Sequence, residues 1–163
     1  MTTAQYAAAR WTPAGVLRVG MAVLAVPVAV AGHVHTAFGI AVALVVSLLM
    51  REFATPSVDL AAALVLAAHA LGSAADLPSR IAVWDVTFHV LLAALVTIAL
   101  GAMLPQLHLA GMVLLAGLGM AVALEWEALE YLAGLVTGGS GNSLAAAGID
   151  LAGDAVGIVV GLA

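Results

Sequence analysis

The chain has 163 residues, 65% of them hydrophobic and 8% charged, with four arginines, no lysine, no cysteine and a formal net charge of −5. A mean hydropathy of +1.22 is more than a soluble domain of this size can carry on its surface, so an integral membrane protein is expected and a nucleic-acid partner is not. Without cysteine there are no disulfides, iron–sulfur clusters or thiol nucleophiles, and without lysine no Schiff base, retinal included; any metal must use His and carboxylate ligands.

The first residues, with Gln5, Tyr6, Arg10, Trp11 and Pro13, lack the pattern of a cleaved signal, so the first apolar run is expected to be kept as a span. Six apolar runs follow, roughly 15–32, 36–50, 58–75, 81–104, 108–133 and 144–163, against the ~20 residues that a spanning helix needs. They predict an all-α polytopic bundle of about six spans, forming one domain over residues 1–163. Pro27 is expected to kink the first span. The second run is short, ending at Arg51-Glu52, and is expected either to draw in Gly32 and His35 or to sit in a thinned bilayer. The fifth is long enough to tilt or project.

Between the runs lies turn chemistry: Gly32-His33, Thr55-Pro56-Ser57, Leu77-Pro78-Ser79, Pro105-Gln106 and the run from Gly138 to Ser143. Ser57, Ser79 and Ser143 are candidate helix caps. Placing Arg10, Arg18 and Arg51 on or near the cytoplasmic side, with Arg80 outside beside Asp76, satisfies the positive-inside rule for three of four cations. Both termini are then cytoplasmic.

Seven residues that water would normally keep fall inside these runs: His69, Asp85, His89, Glu127, Glu130, Asp150 and Asp154. An ionisable group in hydrocarbon costs a few kcal/mol or more, so each calls for a partner, a proton, a metal or a wet pocket. Alternation of helix direction brings all seven to one leaflet, with His69, Asp85 and His89 roughly 5–12 Å below the helix ends at 1.5 Å per residue. Asp85 and His89 are four apart, Glu127 and Glu130 three apart, and Asp150 and Asp154 four apart, so each pair shares one helical face. Paired donors on facing helices are the pattern of carboxylate metal sites in bundles. Gly153, Gly157 and Gly161 recur every four residues beside Asp154 and mark a groove for close helix approach.

Five carboxylates and two imidazoles in one layer cannot all stay ionised uncompensated. Either one or two divalent ions bind there, or several carboxyls keep their protons. The expected ligand set is His69, Asp85, His89, Glu127, Glu130, Asp150 and Asp154 around zinc, manganese, iron, magnesium or calcium. Each pair also has a plain reading: Asp85 orients His89 within its own helix, and Glu127 and Glu130 sit at a wet helix end where Trp126 and Tyr131 form an aromatic belt. Glu125 points away from Glu127. His33, His35 and His108 fall at span ends, where histidine is ordinary.

The order Asp85-x-x-x-His89, Glu127-x-x-Glu130 and Asp150-x-x-x-Asp154-x-x-Gly157 resembles small bacterial membrane proteins of the VanZ-like group and its YjdF-type relatives, over residues 84–161 only. Val86 stands where that group usually has Lys, Glu130 where it has Gln, and no Arg precedes the last acids, so the relatives with a second Glu are the nearer match. The resemblance implies envelope biology in the bacterial inner membrane and a shared polar site. On these grounds the expected function is a metal-dependent hydrolase or transferase acting on a lipid-linked substrate, with Glu127 or Glu130 as the base. The rivals are a proton- or cation-coupled transporter, a b-type haem held by His69 and His89, and a non-catalytic subunit. Partners are membrane lipid and either further copies of the chain or a larger membrane complex.

Overall fold

The computed structural model describes residues 12–78, 80–81, 83–104, 109–137 and 144–163, apart from the side chains at 35, 133 and 137. Arg10, Ser79, Pro105, Gln106, His108, Ser143 and the glycine-rich run lie outside them, as does the side chain of His35. The chain forms α1 (Pro13–Val30), α2 (Val34–Phe53), α3 (Pro56–Ala74), α4 (Trp84–Met103), α5 (Leu109–Thr137) and α6 (Leu144–Leu162). There is no strand among the described residues, and all six helices are long and apolar enough to cross a membrane. The fold fits a multi-pass membrane protein.

Local chemistry explains the boundaries. Thr12 caps α1 by accepting the Gly15 N–H at 3.0 Å, with Pro13 next in line where a missing N–H is harmless. α1 continues through Pro27 and closes at Gly32, whose φ of +88° is open to glycine at little steric expense. There the N–H of Gly32 bonds the carbonyl of Ala29 at 3.0 Å and that of His33 bonds Val28 at 3.1 Å, a Schellman ending that turns the chain directly into α2. The second span is therefore not short. It is a 20-residue helix that takes in Arg51 and Glu52, since lipid-poor chemistry at its last turn does not interrupt the backbone ladder. Ser57 does not cap α3 either: Thr55 stands at the cap, Pro56 takes the first helical position and Ser57 is already in the helix. α3 ends at Ala74, and the chain turns just beyond it through Asp76, φ 58°, with Leu77 N–H bonded to the Gly72 carbonyl at 2.9 Å.

Inside a bilayer, helices are held by close packing and internal hydrogen bonds, because lipid tails are as apolar as leucine. α1, α2 and α3 pack as one group around Met21, Ile40, Ala43, Leu66, Ala67 and Ala70. Met50, Ala62 and Ala99 join α2, α3 and α4. α4 and α6 form the tightest pair. A Cβ at Gly153 would stand 2.9 Å from Val86 Cγ2, one at Gly157 would collide with the Val90 carbonyl oxygen, and one at Gly161 would lie 2.7 Å from that of Ala94. The four-residue glycine stripe is thus the groove that seats the α4 backbone. α5 lies against α6, α4 and α2, while Val23, Leu49, Leu114 and Val159 project outward from the bundle.

Candidate metal centre

The α4–α6 contact decides the site. His89 is in the second turn of α4 and Asp150 in the second turn of α6, and both helices begin at the same end of the bundle. With the backbones in glycine-mediated contact, the imidazole reaches across to α6, where Asp154 Oδ2 accepts a hydrogen bond from His89 Nδ1 at 3.1 Å. With Nδ1 paired to Asp154, it is Nε2 that faces Glu127, and an imidazole oriented in this way by a carboxylate is a common arrangement for a metal-binding histidine. The helix-local pairing of Asp85 with His89 is therefore replaced by a pairing between helices, because the close approach of α6 brings a better-placed carboxylate than the one a turn away on α4.

Glu127 enters from α5, with Oε1 3.7 Å from His89 Nε2. Neither of its carboxylate oxygens has a hydrogen-bond partner, although both are buried. His89, Glu127 and Asp150 are 8%, 8% and 6% exposed, and each offers one ligand atom such that all three atoms lie within 4.8 Å of one another. Donors sharing one tetrahedral ion at bonds of about 2.0–2.2 Å stand ~3.3–3.6 Å apart, so side-chain rotations that draw these atoms about 1 Å closer would let them meet one ion. One imidazole and two carboxylates form a nitrogen–oxygen set suited to a divalent cation.

Of the seven sequence candidates, His89, Glu127 and Asp150 make up this donor group, and Asp154 orients its histidine. Asp85, Glu130 and His69 fall outside the 4.8 Å group. Asp85, in the first turn of α4, is half-buried and within electrostatic reach of Asp150, Glu130 and His69. Glu130 accepts a hydrogen bond from Trp126 Nε1 at 3.0 Å. Trp126 thus faces inward as a donor, and of the expected aromatic belt Tyr131 alone is turned outward, 52% exposed. His69 packs against Phe88 with ring centres 5.0 Å apart, its buried Nδ1 without a hydrogen-bond partner. His69 and His89 face a common cavity of about 70 Å³, which they share with the carboxylate of Asp154. Arg80 brings no cation into the layer: it is 69% exposed and lies 4.0 Å from Asp76. Glu125 is exposed, as its position two residues from Glu127 requires.

A second polar centre escaped the sequence reading. Arg18, read from the sequence only as a cation on or near the cytoplasmic side, is 5% exposed. Its guanidinium forms an ion pair with Asp59, donates to Ser47 Oγ at 3.0 Å through Nε, and donates to the Ser47 carbonyl at 2.7 Å through Nη2. Arg18 near the start of α1, Ser47 near the end of α2 and Asp59 near the start of α3 share one layer, at the end of the bundle opposite His89. The same depth reasoning that gathered the acids would have found this pair. Compared with protein-family models, with curated proteins and with solved structures, the chain has no significant match.

Proposed function

We propose that this is a bacterial inner-membrane protein, with both termini cytoplasmic, that holds a divalent metal ion on His89, Glu127 and Asp150 near the extracytoplasmic face. It uses that ion to hydrolyse or transfer a phosphoryl or acyl group of a lipid-linked envelope substrate. The observation that carries this reading is Glu127: a buried carboxylate with no hydrogen-bond partner on either oxygen, 3.7 Å from Nε2 of an imidazole whose other nitrogen is paired with Asp154. A buried charged group left so costs several kcal/mol unless something else completes it. The surrounding acids supply no cation, and Arg80 is turned to the surface.

A divalent ion at such a site supplies Lewis acidity and a water activated near neutral pH. The chain's own residues have separate roles. His89, Glu127 and Asp150 bind; Asp154 fixes the imidazole's tautomer and orientation; and Glu130, held by the Trp126 N–H, is the base that takes the proton from the attacking water. Asp85 and His69 border the site and tune its charge. The VanZ-like resemblance, carried by the Asp85–His89, Glu127–Glu130 and Asp150–Asp154 motifs, favours an envelope substrate.

The test is elemental analysis of the detergent-purified protein together with Glu127→Gln and Asp150→Asn. About one divalent ion per chain in the unmodified protein, lost in both variants while their size-exclusion profiles stay unchanged, is the expected result. A metal-free unmodified protein would overturn the reading and leave shared protons as the way these carboxyls are neutralised.

A further inference from the structure

Below the metal group the bundle contains a cleft whose chemistry changes along its length. Its mouth is formed by His69, His89, Asp154 and Trp126, and its shaft runs along Leu92 and Val96 of α4, Leu66 of α3, Val46 of α2, and Ala123 and Gly119 of α5. From His89 to Val96 is seven residues, about 10 Å along the helix axis. Val46, Val65 and Gly119 lie correspondingly farther than His69 and Trp126 from the same end of their own helices. All the side-chain polar atoms that line the cleft therefore belong to its mouth, and its shaft is hydrocarbon. Val122, 47% exposed, stands at its rim and leaves a way out to the lipid.

Water does not stably fill such a shaft, since each molecule needs two to four polar partners and only the mouth has them. The cleft's volume is about 70 Å³, room for about five to seven water-sized groups at ~10–15 Å³ each, the bulk of a short run of methylenes. In a bilayer, the surrounding solvent is itself made of such chains.

We propose that this cleft is the tail slot of the substrate: one alkyl, acyl or prenyl chain enters beside Val122 and lies along Leu92 and Val96, and its phosphate head stands at the mouth against the metal group. The substrate class is therefore a single-chain or prenyl lipid phosphate, and the residues at the foot of the slot set the chain length. This rests on the metal reading for the head alone; the slot is defined by its own walls.

Native mass spectrometry of the detergent-purified full chain, with added alkyl monophosphates of increasing chain length and a parallel metal count, separates the two claims. Val96→Phe blocks the foot of the slot and Ala123→Leu fills its middle. Both are expected to lower retention of the longer probes about tenfold with the metal count unchanged. Val96→Ala deepens the slot and is expected to shift the preference to longer chains, which covers the case in which a bulky variant fails to fold. Retention of the same probes to the same extent by all three variants, or no retention by the unmodified protein, overturns the slot whatever the metal count. Slot-dependent retention by a metal-free protein supports the slot and removes the metal reading.

Discussion

Arg18 and Glu127 are both buried charged side chains in helices long and apolar enough to span a membrane, and the bundle treats them in opposite ways. Arg18 is completed by the protein, with Asp59 matching its charge and Ser47 taking two further N–H bonds from it. Glu127 has no hydrogen bond to either oxygen and sits among further acids. A saturated centre of this kind ties helices together, and here it clamps α1, α2 and α3. An unsaturated one has bonding capacity left for something that is not part of the chain. The difference between the ends of the bundle is thus one between architecture and binding, and it would be invisible in a count of charged residues.

Four single substitutions and one double replacement would break or sharpen that contrast. Arg18→Ala leaves Asp59 buried without its partner and is expected to lower stability by about 3–5 kcal/mol, read as a fall in the detergent unfolding midpoint, with the metal content of the surviving folded protein unaltered. The double replacement Arg18→Met with Asp59→Leu should restore most of it, because a buried pair can often be exchanged for apolar groups at little net loss. Asp154→Ala removes the acceptor that orients His89 without touching the donor group itself. Metal affinity should fall about 10–100-fold in a competition titration, and an unchanged affinity would mean that Asp154 does not set the histidine's tautomer.

Gly157→Ala puts a methyl group where the Val90 carbonyl oxygen sits, and backbone cannot move aside as a side-chain tip can. A loss of about 1–3 kcal/mol is expected, together with weaker metal binding, since α4 and α6 carry His89 and Asp150 and would be forced apart. The smallest effect is assigned to Glu125→Gln. Exposed and directed away from the cluster, it should change stability by less than about 0.5 kcal/mol and leave the metal count as it was; a clear loss of metal there would enlarge the site beyond the interior.

Much of this was legible in the residues. Six apolar runs read as six helices because a chain in lipid must satisfy its backbone internally, so run length translates directly into a span. The glycine stripe beside Asp154 predicted that this residue faces protein, with Asp150 four residues away on the same helical face, and the two are 5% and 6% exposed. Boundaries were less legible. The second helix runs on through Arg51 and Glu52 to Phe53, since hydropathy marks where lipid ends and not where the hydrogen-bond ladder does.

The sequence by itself determined the class of fold, the layer in which the acids gather and the helix faces they occupy, because all three follow from periodicity and from the free energy of moving polar groups into hydrocarbon. Only the tertiary structure decided which acid serves which role. That choice depends on helix rotation and on an approach close enough to bring a Cβ at Gly157 onto the Val90 carbonyl. It gave His89 to Asp154 in place of Asp85, left Glu127 open, and made Arg18 a buried clamp.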